Sequence, residues 1–248
     1  MKRFLKAMLL PCLAFMLVAC KQLDQTYKAT LGESMRTATT SIKKYREMIT
    51  VEELEGRKEE VRQRLDIDQY VEFEPSRYYM EMGGDLGLKE ESDLEKRYAN
   101  ENHSYRLSIR DHVWEGEAHA TDLRDKKFED PLFDLLIAHI EQGKIYPRYG
   151  IYDIFLKNLS PDQTMDLVNR KLKKVGIKEI DPSLVESVDL DSWVSGNHQP
   201  SNIRVTIHKK REGFFGWGSK KDPQTVSIKC VYYMHENNTI PNIEGLNP

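Results

Sequence analysis

The sequence predicts an α+β fold: N-terminal helices after a short tether, an antiparallel sheet with helices packed on it, and a C-terminal β-hairpin. Three observations lead there. Apolar residues recur at three- and four-residue spacing after residue 31, several later stretches alternate apolar with polar residues, and two further apolar stripes carry helix start and stop signals. The 248 residues are 39% apolar and 31% charged, a balance that suits a packed core under a well-solvated surface and argues against wholesale disorder.

Leu31, Met35, Ala38, Ile42, Tyr45 and Ile49 fall on one helical stripe, because steps of three and four return to the same face of a 3.6-residue helix. Thr50-Val51-Glu52-Glu53 has the form of a capping box, and Leu54, Val61 and Leu65 start a new stripe, so the spacing predicts two consecutive helices kinked near Thr50. Under three heptads is short for a coiled-coil seam, and packing on the chain's own body is the better reading. From Gln69 onward the period is two: Tyr78, Met80 and Met82 share a face, as do Tyr105, Leu107 and Ile109, and a third strand is expected around 113–120. Gly83-Gly84-Asp85 and the charged run 89–97 mark the connection between the first two of these.

Two helices follow. Asp130-Pro131 supplies an N-cap and a first-turn proline, residues 132–140 are apolar nearly all round, and Gly143 closes the segment. Ser160-Pro161-Asp162-Gln163 opens the next helix, Met165, Val168, Leu172 and Val175 form its stripe, Lys171, Lys173 and Lys174 complement its C-terminal dipole, and Gly176 ends it. Between them, 150–157 reads as a strand. The last hairpin pairs Ile203, Val205 and Ile207 with Val226, Ile228, Cys230, Tyr232 and Met234. The chain then divides into a leader over 1–19, a tether over 20–30, a helical segment over 31–66, an α+β body over 67–240 that can be split into 67–128 and 129–240, and a tail over 241–248.

The leader has a basic start (Lys2, Arg3, Lys6), an uncharged apolar run over 7–19 and a small residue directly before Cys20. That run is shorter than the roughly 20 residues that cross about 30 Å of hydrocarbon, and it has the length of an export-signal core. Leu17-Val18-Ala19-Cys20 resembles the lipobox of bacterial lipoproteins. The resemblance covers the first twenty residues. It implies cleavage before Cys20, a diacylglyceryl group on its sulfur, and a body held on the extracytoplasmic face of a membrane. Lys21 in place of an Asp after the cysteine favours the outer membrane if the source is Gram-negative. Several acyl chains, each methylene contributing about 0.8 kcal/mol, anchor firmly where one chain binds reversibly.

The formal net charge is −3, and loss of the three leader cations leaves −6 on the mature part. This gives no reason to propose nucleic acid as a partner. With Cys12 in the leader and Cys20 lipidated, Cys230 is the one thiol of the body; its alternating apolar neighbours make it a packed hydrophobe rather than a reactive group.

The most unusual local composition lies between the last two strands. Phe214, Phe215 and Trp217 stand among glycines, flanked by Lys209, Lys210, Lys220 and Lys221. Aromatic rings favour the water–acyl boundary and lysines favour anionic headgroups, so these residues are candidates for contact with a membrane or a partner; the other reading has the rings covering the end of the sheet. His112, Glu115, Glu117 and His119 are potential metal ligands that a solvated strand face explains equally well, and no metal or other cofactor is assigned. Ser195-Gly196-Asn197-His198 matches in letters a hydrolase name whose residues come from four separate blocks, and carries no weight. Asp189 and Asp191 begin like a calcium loop but lack its glycine and terminal Glu. The reading is a membrane-anchored, non-enzymatic envelope protein that binds a protein, an envelope polymer or a small ligand. The alternative is an extracytoplasmic hydrolase with dispersed catalytic residues.

Overall fold

The computed structural model describes residues 24–55, 59–74, 76–84, 95–100, 103–108, 113–116, 127–210, 224–234 and 240. Helix α1 spans 24–39. Six strands follow: β1 (Lys44–Glu55), β2 (Glu60–Phe73), β3 (Ser76–Gly84), β4 (Glu95–Ala99), β5 (Ser104–Ser108) and β6 (Val113–Gly116). Helix α2 (Pro131–Ala138) leads to β7 (Lys144–Arg148) and β8 (Ile151–Leu159), helix α3 (Pro161–Lys174) to β9 (Val185–Ser195), and β10 (Pro200–Lys209) and β11 (Gln224–Tyr233) complete the order.

All eleven strands join one antiparallel sheet in the order β6-β5-β4-β3-β2-β1-β11-β10-β9-β8-β7. The first six strands meander outward from β1, the last five return from the other edge, and β11 closes against β1, with Ile49 opposite Cys230 and Val51 opposite Ile228. The expected α+β architecture with a helical segment over 31–66 is therefore corrected. A single 11-stranded sheet dominates the described residues, with three helices, and 44–73 is its longest hairpin.

The physical reason is local. Leu31 and Met35 are buried in α1 as the stripe requires, but the run Thr39-Thr40-Ser41 ends the helix. These hydroxyls donate back to the carbonyls of Arg36, Thr37 and Ala38 at 2.7–2.8 Å, offering the backbone an alternative to the helical ladder. Beyond that point Tyr45, Glu47, Ile49 and Val51 are all buried, a period of two. The charge at Glu47 disguises the alternation, while the three-to-four spacing of Ile42, Tyr45 and Ile49 imitates a helix.

Other expectations stand. Tyr78, Met80 and Met82 are buried together on β3. Asp130 caps α2, accepting from the backbone of Leu132 at 2.8 Å and Phe133 at 3.2 Å. Met165, Val168, Leu172 and Val175 are buried, Gly176 adopts φ +76 where α3 ends, and Ile203, Val205 and Ile207 pair with Cys230, Ile228 and Val226. Lys171 is a correction: it points into the core rather than toward the helix end.

The core lies between one sheet face and the helices. Phe128 bridges it, with ring centroids 5.2 Å from Tyr45, 6.1 Å from Phe133 and 6.2 Å from Tyr232. On the opposite face one cross-strand row carries Tyr233, Arg46, Tyr70, Tyr79, Tyr98 and Tyr105 over six strands. The Arg46 guanidinium sits 5.1 Å from the Tyr70 ring and 5.7 Å from that of Tyr233, a cation–π arrangement that ties the two halves of the sheet across β1.

Candidate functional site

At one end of the central strands the sheet and the chain after α3 enclose a cavity of about 300 Å³ that opens to solvent. Val51 of β1 and Val226 of β11 form its floor, Leu172 of α3 one side, and Ile177, Ile180 and Leu184 the opposite wall. That wall is fixed by hydrogen bonds and ends in the 3-10 turn Pro182–Leu184. The Asn169 amide donates to the carbonyl of Ile180 and accepts from its N–H, both at 2.9 Å. Asp181 turns the chain by accepting from the backbone of Ser183 at 2.8 Å, and hydrogen bonding from the Ser183 side chain, then from its backbone, holds the carboxyl below the ordinary range. Lys210 pins the far end through its N–H to the carbonyl of Leu184 and its Nζ to that of Ser183, each at 2.8 Å.

The lining is mainly apolar, and polar groups gather at its edge. Lys209 and Glu53 face each other there, Nζ to Oε1 2.8 Å. A preformed apolar cavity with a few oriented polar groups is the geometry that holds a small apolar molecule, and this volume lies at the small end of such sites.

Behind it the core holds a charged cluster. Lys171, Glu47 and Asp130 are 1%, 0% and 3% exposed, and the Lys171 Nζ lies 2.5 Å from both Glu47 Oε1 and Asp130 Oδ2. Gln69 donates to the other oxygen of Glu47, and Tyr78 donates to Gln69 at 3.3 Å. Burial raises the carboxyl of Glu47 despite the ammonium beside it, whereas for Asp130 the attraction of Lys171 and the α2 backbone bonds outweigh burial and lower it. The two carboxylates hold the proton of Lys171 far more firmly than water would, overcoming burial. Sealed from solvent, the cluster reaches no substrate. It docks α3 and the start of α2 on β1.

Cys230 is fully buried beside this cluster, and burial pushes its thiol well up, consistent with a packed hydrophobe. Asp189 and Asp191 form ion pairs with Lys157 at 3.3 and 3.1 Å on the opposite sheet face. Ser195 to His198 form the β9–β10 turn, where the Ser195 hydroxyl donates to the carbonyl of Gln199 at 2.8 Å. Glu115 lies opposite Arg106, while His112, Glu117 and His119 lie outside the described residues. Of the proposed contact residues, Lys209 and Lys210 are occupied at the cavity as above, and Phe214, Phe215, Trp217, Lys220 and Lys221 lie outside the described residues, as does Cys20. No described helix is long and apolar enough to cross a membrane.

The cavity wall over 177–184 escaped the sequence reading, although Ile177, Ile180 and Leu184 are apolar residues placed in a stretch with neither helix nor strand periodicity.

No known sequence family and no curated protein matches the chain. Among solved structures it is similar to LprF from Mycobacterium bovis, at 14% identity and a TM-score of 0.46 over 88% of this chain and 97% of that one. It also aligns with a putative outer membrane lipoprotein-sorting protein domain from Vibrio parahaemolyticus, at 7% identity and a TM-score of 0.26 over 87% and 95% of the two chains. A LolA superfamily protein from Nitrosomonas europaea aligns at 6% identity and a TM-score of 0.25 over 82% and 90%.

Proposed function

We propose that this chain is a lipoprotein held on the outer side of a membrane through Cys20, and that its body is a non-enzymatic binding protein that takes a small apolar ligand, such as an acyl chain, in the cavity between the sheet and the chain after α3. The observation that carries the binding reading is the cavity itself: six apolar side chains from β1, β11, α3 and the chain after α3 converge on one solvent-open space, and that last wall is tied down by hydrogen bonds at Ile180 and at Ser183. An exposed apolar hollow of this kind is costly to leave in water and gains by being filled. At its rim Lys209 and Glu53 are paired with each other, and the Lys171 cluster is sealed from solvent, which favours binding over catalysis.

Titration of the mature chain lacking lipid with a fluorescent polyene fatty acid tests this. Saturable binding is expected. Ile180→Trp, which fills the cavity from a half-buried wall position, is expected to weaken it at least about tenfold, equivalent to about 1.4 kcal/mol. Binding that is absent, or unaltered in Ile180→Trp, would count against the cavity as the site.

A further inference from the structure

The edge of the sheet farthest from the β3–β6 wing exposes an apolar patch. Tyr146, Ile151 and Trp193 are 50%, 42% and 54% exposed, and Tyr149 at the tip of the β7–β8 hairpin is fully exposed. The register makes them neighbours on one face: Tyr146 and Trp193 both pair with Asp153, one on each side, and Ile151 lies on that face one row nearer the tip. Phe155 backs Tyr146 with ring centroids 5.9 Å apart. Lys144 and Arg148 stand on the same face of the edge strand, and Arg148 forms an ion pair with Asp153 at 2.7 Å. Tyrosine and tryptophan with apolar bodies and wet polar tips, together with basic residues, make the composition that settles at the headgroup level of a bilayer.

The described chain begins beside this edge, at the start of α1. Lys28 in α1 pairs with Asp24 at 2.6 Å and donates to the carbonyl of Glu141 at 3.5 Å. Glu141 belongs to the 3-10 turn Ile140–Gln142 that runs directly into β7. Gly32 fits against the same turn, since a Cβ there would meet Ile140 at 3.4 Å. Cys20 precedes Asp24 by four residues, which limits their separation to about 14 Å.

We propose that the edge formed by β7, β8 and β9 rests in the headgroup region of the membrane that holds the lipid on Cys20, with Tyr146, Tyr149, Ile151 and Trp193 as the contact, so that the body is oriented as well as tethered. This rests on the lipid-anchor reading above. The hairpin tip pairs with Ser195, at the opposite end of β9 from Leu184 and the cavity. The docked edge therefore leaves the cavity mouth at the far end of the strands.

The test uses the full lipidated protein in liposomes of phosphatidylcholine and phosphatidylglycerol with acyl chains brominated near the headgroup. Trp114→Phe with Trp217→Phe leaves Trp193 as the one tryptophan, excited selectively over the tyrosines, and a second variant adds Trp193→Phe and Tyr149→Trp to report from the tip. Emission is expected to fall severalfold in both relative to unbrominated lipid. Protein that floats with the liposomes but is not quenched in either variant overturns the membrane contact and leaves the anchor standing. Protein that stays in the aqueous fraction overturns the anchor and this inference together. Crosslinking of β7 to β7 in floated, unquenched protein would assign the edge to a second copy of the chain instead.

Discussion

Replacing Lys171 by Ala is expected to destabilise the fold by about 3–5 kcal/mol, because it leaves two buried carboxylates without their cation. Glu47 and Asp130 come from β1 and from the cap of α2, so the ammonium joins three segments far apart in sequence at a point that water does not reach. Paired replacement separates the charge from the packing: Lys171→Met combined with Glu47→Leu is expected to recover part of the loss, since an apolar pair of similar volume needs no solvation. Denaturant unfolding of the single and double variants reads this directly, and a single-variant loss under about 1 kcal/mol would show that the cluster is not the buried pair described.

The same cluster sets a pH dependence whose sign follows from its shifts. Lys171 is raised from 10.5, so its contribution is fully present below about pH 10.5 and is lost as pH climbs through its folded value. Cys230 and Tyr232, raised from 9.0 and 10.0, act in the same direction, their protonated forms being favoured in the fold. Stability is thus expected to fall as pH rises above about 9, and less steeply in Lys171→Met, where the ammonium is missing. On the acid side Asp130, lowered from 3.8, loses its contribution as pH drops below that value, while Glu47, raised from 4.5, works the other way.

The second large effect concerns attachment. Cys20→Ala is expected to abolish incorporation of radiolabelled fatty acid and to leave the precursor uncut by the lipoprotein peptidase, because the sulfur that would carry the diacylglyceryl group is gone. Firm anchoring needs more than one acyl chain, so partial retention through a single weak contact does not imitate it. Normal labelling of the variant would remove the basis for placing the protein on a membrane at all.

What could be seen in the sequence depended on how cleanly each face was kept apolar. The β10–β11 hairpin was legible because Ile203, Val205, Ile207 and their partners are apolar without interruption, and α2 and α3 because Asp130, Pro161 and Gly176 mark their ends. β1 and β9 were hidden for one reason: each places polar side chains at inward positions, Glu47 in the first and Ser192 in the second, and each is satisfied by a partner on another element. Glu47 meets Lys171 across 124 residues, and the hydroxyl of Ser192 donates to the carbonyl of Asn202 at 2.9 Å. A periodicity argument counts such residues as outward. Lys171 was misread in the same way, since a lysine in a last helical turn normally serves the dipole. The cavity was invisible because its wall has no period and its floor comes from strands that meet only when β11 closes against β1.

Diffraction from the mature protein soaked with a fatty acid carrying bromine at the end of its chain tests the central claim most directly. An anomalous peak between Ile180, Leu172 and Val226 is the result expected for a protein that holds an acyl chain there. Bromine bound at another site, with this cavity left to water at a saturating concentration, would contradict it.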